Sequence, residues 1–240
     1  MARVFITGSA DGLGRATAES LLNDGHEVIV HARSTARLAA VQELMDRGAA
    51  GAVGDLSDVE QVRSVAHQVN QSGPVDAVVH NAGVLHGPDI FQVNVVAPYL
   101  LTALISPPQR LVYLSSGMHR GGRASLASLR DAGKVTYSDS KLYLTTLAAA
   151  VARVWPDALS NAVDPGWVPT RMGGPGAPDD LRLGHLTQEW LATSDEAQAL
   201  TSGGYWHHQA RRSPHKAVGD VRFQDALLDA LGRHTGTYLP

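Results

Sequence analysis

Tyr137 and Lys141 stand four residues apart in Tyr137-Ser138-Asp139-Ser140-Lys141. On a helix that spacing puts both side chains on one face. A free tyrosine, with a pKa of about 10, is a poor proton donor or acceptor at neutral pH. A lysine ammonium beside it favours the phenolate and brings the group toward the working range of a general acid or base. Taken alone, a Tyr and a Lys at this spacing also occur by chance on an exposed helix. Upstream, Ser115-Ser116 follows an apolar run at Leu111–Leu114, and ligands meet an open α/β sheet at the C-terminal ends of its strands.

A second constellation lies near the start. Thr7-Gly8-Ser9-Ala10-Asp11-Gly12-Leu13-Gly14 separates a short strand from an Ala/Leu-rich helix. Glycines there permit a tight turn, close approach of backbone to a pyrophosphate, and close helix–strand packing. The N–H groups and dipole at the helix start favour the anion. The plain alternative is an ordinary strand-to-helix turn. After the second strand the chain reads His31-Ala32-Arg33-Ser34-Thr35-Ala36-Arg37, with no acid to hold the adenosine ribose hydroxyls. Arg33 can pair with a 2′-phosphate, and Ser34 and Arg37 can add donors. This favours NADP(H) over NAD(H), against the alternative of solvated surface arginines. Arg15, in the first helical turn, reads better as a surface group than as a phosphate contact.

The elements that must position these groups alternate. Strands are predicted at Val4–Ile6, Val28–Val30, Ala50–Gly54, Ala77–Val79, Leu111–Leu114 and Leu159–Val163, with a short one at Gly204–Trp206. Helices are predicted at Leu13–Asn23, Thr35–Arg47, Val59–Gln71, about 91–105, about 136–154, Leu181–Thr193 and Phe223–Leu231. The strands are apolar throughout, as in a parallel sheet covered on both faces. The expected class is therefore α/β: one doubly wound Rossmann-fold domain spanning 1–240, with helices on both faces. Residues 171–180, with three glycines and two prolines, cannot be regular structure. They open a loop or lid region at about 171–190.

In this order, Thr7-Gly8-x-x-x-Gly12-x-Gly14, Asn81-Ala82-Gly83, Asn94, Ser116, Tyr137-x-x-x-Lys141 and Pro165-Gly166 resemble the short-chain dehydrogenases/reductases of the classical type. The stretch from Leu111 to Gly117 and the long spacer to Tyr137 are most similar to the retinol-dehydrogenase-like branch. The resemblance implies a sheet of order 3-2-1-4-5-6-7 and hydride transfer between a nicotinamide and a ketone, aldehyde or alcohol. Tyr137 is then the general acid or base, Lys141 lowers its pKa and holds the nicotinamide ribose, and Ser116 bonds the substrate oxygen. Asn94 supports a water-linked proton relay through Lys141. The implied cofactor set adds Gly8, Ser9, Asp11, Gly12, Leu13, Gly14, Arg33, Ser34, Asp55, Leu56, Asn81, Ala82, Gly83, Pro165, Gly166, Val168 and Thr170. Asp55 would accept the adenine amino group, and Val168 and Thr170 would contact the carboxamide. A homodimer or homotetramer is the implied assembly.

Two departures concern the substrate mouth. His80 stands where the family motif has a first asparagine, and the segment from Asn81 to Asn94, with Gly87-Pro88, is shorter than the family pattern. Rival readings are an NADP-sensing regulator without turnover and an NADP-dependent epimerase or dehydratase. The full catalytic set argues against the first. The 75 residues after Pro165 leave little room for the second's larger substrate domain.

Composition excludes other chemistry. The chain of 240 residues has no cysteine, which removes disulfides, Cys-ligated metals and thiol nucleophiles. A formal charge of −3 supplies no electrostatic case for nucleic acid or an anionic membrane. No apolar run is long enough to span a bilayer, and the expected location is cytoplasmic. His207-His208 with His215 is the densest histidine cluster, but no carboxylate has matching spacing, so no metal is expected.

Overall fold

The computed structural model describes residues 1–127 and 134–240. Its parallel strands are β1 (Arg3–Ile6), β2 (Glu27–Ala32), β3 (Ala50–Val53), β4 (Ala77–His80), β5 (Arg110–Leu114), β6 (Leu159–Asp164) and β7 (Tyr205–His207). They lie in the order β3-β2-β1-β4-β5-β6-β7, and β8 (Ala210–Arg212) adds an antiparallel edge beyond β7. Phe5 pairs with Ile29 on one side and Val78 on the other. Alternate side chains along each strand feed opposite layers, so both residue sets must be apolar. Phe5, Ile29, Val78, Leu111 and Tyr113 enter one core; Val4, Ile6, Val30, Val79 and Val112 enter the other.

The first core is closed by α4 (Val59–Gln71), α5 (Ala97–Leu104), α6 (Tyr137–Val154) and α8 (Val221–Thr235). The second is closed by α1 (Gly12–Asn23), α3 (Gln42–Asp46) and α7 (Leu181–Thr193). The helix periods carry this directly: Val62, Val65, Ala66 and Val69 are the buried face of α4. No helix among the described residues is long and apolar enough to cross a membrane.

Three expectations need correction. The helix predicted over Thr35–Arg47 is two short ones, α2 (Thr35–Ala39) and α3, broken where Val41 leaves helical geometry and buries completely. The helix predicted over 91–105 is interrupted by a π-helical turn, Gln92–Val96, and is α-helical again from Ala97. Pro98 has no N–H to return to the Asn94 carbonyl four residues back, so regular α geometry cannot run through this point. Finally, the short last strand continues into a hairpin. His208 and Gln209 both adopt left-handed conformations, at φ 49° and 57°, which is the geometry of a two-residue hairpin turn. The Gln209 N–H donates to Thr187 Oγ1 of α7 at 3.0 Å and holds that turn against the sheet.

Candidate active site

The glycine turn is built for backbone, not side chains. Gly8 and Gly12 have φ of 65° and 55°, the left-handed region that favours glycine. A Cβ on Gly14 would collide with the Asn81 amide and lie 2.7 Å from the Gly8 carbonyl. Asn81 Nδ2 donates to the carbonyls of Thr7 and Gly8 at 2.8 and 3.2 Å, and Thr7 Oγ1 accepts from the Ala82 N–H at 3.0 Å. The loop after β4 is thus tied to the turn after β1. Ser9 is fully buried: its hydroxyl donates to Ile6 O and accepts from the His31 N–H. Its side chain faces the protein and its N–H donates to the His31 carbonyl at 3.1 Å, so Ser9 shapes the turn from within. Asp11 caps α1 and pairs with Arg37 at 3.2 Å, while Leu13 packs into the second core.

Arg33, just past β2, is exposed and makes no hydrogen bond or ion pair with the described residues. The neighbouring Ser34 hydroxyl accepts from the Arg37 N–H and caps α2. Arg15 is engaged by Glu19 and Glu43, a surface network. Past β3, Asp55 Oδ1 holds the Ser57 N–H and hydroxyl, and the Leu56 side chain turns into the core. An exposed cation past β2 and an acid past β3, its Oδ1 held by Ser57, thus stand beside the glycine turn after β1. Such a cradle fits a dinucleotide.

At the other end the catalytic candidates converge on the C-terminal edge of β4, β5 and β6. Tyr137 opens α6 because Thr136 and Asp139 form a reciprocal capping box there. Burial alone would raise the Asp139 carboxyl, but hydrogen bonds from Arg123 and Thr136 outweigh it and bring it down to about 2. The Tyr137 hydroxyl faces Ser116. Burial raises its pKa, hydrogen bonding with Ser116 opposes this, and the Asp164 carboxylate raises it further. Lys141 is buried; Nζ donates to the Leu114 carbonyl at 2.7 Å and lies 5.6 Å from the Tyr137 ring centre. Burial lowers its pKa to about 8.

Asn94, in the π turn, is fully buried. Its amide exchanges hydrogen bonds with the Val84 backbone at 2.8 and 2.9 Å and donates to Ser140 Oγ at 3.0 Å. Ser140 in turn donates to the Tyr137 carbonyl at 2.7 Å. A Cβ on Gly83 would lie 3.3 Å from Asn94 Oδ1 and 3.4 Å from Lys141 Nζ, so that glycine lets the two approach. The short connection after Asn81 is therefore pinned by Asn94 itself. Ser115 is different: its hydroxyl bonds Thr145 at 2.6 Å, turned into α6 and away from Tyr137.

Beyond β6, Gly166 has φ of 84°, and a Cβ there would meet Asp179 Oδ2 at 2.5 Å. Asp179 accepts from the Trp167 N–H at 2.6 Å, folding 171–179 back on Pro165-Gly166. Val168 is buried with its side chain against Gly184 of α7, and Thr170 lies against Gly12, within 3.4 Å of where a Cβ would sit. Thr170 thus bridges the post-β6 loop to the glycine turn. Trp167 stays 59% exposed although its indole donates to Gly173 O.

Sequence reasoning did not single out Asp164, His31 or His119. Asp164 accepts from the Gly166 N–H at 3.1 Å and the Tyr205 hydroxyl at 3.0 Å, and its carboxylate packs against Gly117, next to Ser116. An acid at the C-terminal end of a strand beside Pro165-Gly166 was the available signal. His119 is buried with one ring nitrogen on the Ser116 carbonyl at 2.7 Å; the other accepts from the His215 N–H at 3.0 Å. Its partner is 96 residues away, so nothing local announced it.

A family profile described as short chain dehydrogenase matches residues 2–180. An uncharacterized oxidoreductase of Emericella nidulans is 36% identical over the whole chain and 99% of its own length. Retinol dehydrogenase 14 of Mus musculus is 32% identical over 71% of this chain and 62% of its own. Among solved structures, an uncharacterized protein from Mycobacterium paratuberculosis superposes with a TM-score of 0.83 at 24% identity, covering 100% of this chain and 95% of that one. A blue fluorescent protein from a metagenomic library, in complex with NADPH, superposes at 0.72 with 25% identity over 86% of this chain and 95% of its own. The turn, the tyrosine–lysine pair, the sheet order and these relatives agree: the chain belongs to the short-chain dehydrogenase/reductase family of NAD(P)-dependent oxidoreductases.

Proposed function

We propose that this protein is an NADP(H)-dependent reductase that converts a ketone or aldehyde to an alcohol, or the reverse, with Tyr137 as general acid and base. The observation that carries the reading is the convergence of Tyr137, Ser116, Lys141 and Asn94 at one edge of the sheet, beside a glycine cradle. A bound NADPH supplies the hydride that reduces the carbonyl carbon. Ser116 holds the carbonyl oxygen, and Tyr137 gives its proton to that oxygen as charge develops there. Lys141 stabilises the phenolate left behind and holds the nicotinamide ribose hydroxyls. Asn94 supports a water-linked proton relay through Lys141, with its own position fixed by Val84 and Ser140.

Asn81, Ala82 and Gly83 line the cleft on one side, and Pro165, Gly166, Val168 and Thr170 on the other. Asp55 and the backbone at Leu56 flank the adenine, while Ser9, Asp11 and Leu13 contribute backbone to the pyrophosphate turn. Arg33 supports the choice of NADP(H), being an uncommitted guanidinium where the 2′-phosphate would lie. The solved relative in complex with NADPH supports the same choice.

Separate titrations with NADPH and NADH, followed by a carbonyl panel with the preferred one, test this. NADPH is expected to bind at least about tenfold tighter, the worth of one charged hydrogen bond, and Arg33→Ala to erase the preference. Equal affinities would remove Arg33 from the site. Tight NADPH binding with no oxidation across ketones and aldehydes would favour the sensor over the enzyme.

A further inference from the structure

We propose that His31 is a positioning residue for the cofactor: its neutral imidazole, carrying its proton on Nε2, locks the glycine turn, the end of β2 and the end of β3 into one frame. The proposal rests on the dinucleotide reading above for the identity of the ligand. Nδ1 of His31 accepts from the Gly8 N–H at 3.0 Å, and Nε2 lies 2.9 Å from the Gly54 carbonyl. The His31 backbone exchanges two further bonds with Ser9: its N–H donates to Ser9 Oγ at 2.7 Å, and its carbonyl accepts from the Ser9 N–H at 3.1 Å. The ring is 2% exposed and meets Phe5 edge to face.

The three tied points are the three cofactor subsites. Gly8 opens the pyrophosphate turn, Arg33 and Ser34 follow His31 directly, and Gly54 immediately precedes Asp55. The tautomer is dictated by the partners. An amide N–H can only donate and a carbonyl can only accept, so Nδ1 must be bare and Nε2 must carry the proton. Protonation would place an N–H on Nδ1 against the N–H of Gly8 and break the tie to the turn. Charged groups on the surrounding elements are Asp55 beyond β3, Asp11 in the turn and Arg33 on the continuation of β2. Burial, the largest influence, holds the imidazole below its ordinary pKa; the Gly54 bond and the Asp55 charge oppose it.

Ordinary core packing would predict a loss of stability and nothing more, so the test separates affinity from turnover. His31→Phe keeps a ring and removes both bonds. The expected result is a rise of about tenfold or more in the NADP⁺ dissociation constant, with kcat at saturating NADPH within about threefold of wild type. His31→Asn, which can still accept from Gly8 but cannot reach Gly54, should fall between them. The advantage of wild type over His31→Phe should hold at neutral pH and shrink only in acid, below the ordinary histidine range, because burial holds the imidazole pKa down. Nitrogen-15 shifts of the ligand-free wild-type protein should show His31 protonated on Nε2 alone, a readout that survives if the Phe variant does not fold. A folded His31→Phe with unchanged affinity, a pH-independent ratio, or the Nδ1–H tautomer would overturn the proposal. Wild type that prefers NAD⁺ changes the ligand and moves the same titrations to that dinucleotide; wild type that binds neither overturns the cofactor reading itself.

Discussion

The two ends of the cleft are built on opposite principles. At the glycine end, hydrogen bonds donated by Asn81 and Ser9 and accepted by Thr7 and His31 fix the turn without any ligand. At the catalytic end, a buried lysine rests on one carbonyl, and a tyrosine is kept from ionising by burial and by a nearby carboxylate. The first end stabilises the fold and is shaped in advance. The second carries a buried lysine whose charge is penalised by burial, and in the proposed mechanism substrate and cofactor complete its electrostatics. Substitutions should therefore fail differently at the two ends: together in stability and affinity at the first, in opposite directions for stability and rate at the second.

Lys141→Met offers the sharpest contrast. Turnover should fall about 10²–10³-fold, as for loss of a preorganised electrostatic group, while the unfolding midpoint stays at or above that of wild type. The sign with pH is fixed. The folded pKa of Lys141 is lowered to about 8, so its penalty is fully present below that value and fades as the pH rises toward the unfolded value of about 10.5. Thermal melts of both proteins at pH 7 and pH 10 should show the variant's relative gain shrinking. A variant less stable than wild type at pH 7 would break the comparison.

Gly14→Ala is the counterpart at the other end. Its Cβ is directed at the Asn81 amide and the Gly8 carbonyl, so stability should drop by about 1–3 kcal/mol, the range for overpacking. NADPH affinity should fall with it, by about tenfold or more. Calorimetry and a fluorescence titration check both; intact affinity in a destabilised variant would mean that the turn does not hold the cofactor.

Asp164→Asn is expected to act most gently. The amide oxygen can still accept from the Gly166 N–H and its NH2 can donate to the Tyr205 hydroxyl, reversing that bond, but the charge that raises the Tyr137 pKa is gone. In the proposed mechanism carbonyl reduction needs protonated Tyr137, so the alkaline limb of its rate profile should move to lower pH. An unmoved limb, or one moved upward, would show that Asp164 does not act on Tyr137.

What was legible in the sequence follows from range. Glycine spacing, the four-residue step from Tyr137 to Lys141 and the apolar strand runs are local, and each constrains geometry within a turn or a strand. The break at Val41 and the π turn at Asn94 were hidden because apolar periodicity continues through both, although Pro98 marked the second. Asp164 offered only its place at a strand end beside Pro165-Gly166, and His31 offered no signal. His31 meets Gly8 and Gly54, each 23 residues away, and Asp164 meets Tyr205 at 41. Only a folded sheet brings those partners together, and neither residue belongs to a motif whose spacing names its role.

The account stands or falls on Tyr137 as the proton donor. With a carbonyl substrate found in the panel, Tyr137→Phe should lose about 10²–10⁴ in kcat, the usual worth of a general acid. NADPH affinity should stay within a few fold, because the glycine end is untouched. A Tyr137→Phe protein that turns over at the wild-type rate on that substrate would contradict the mechanism.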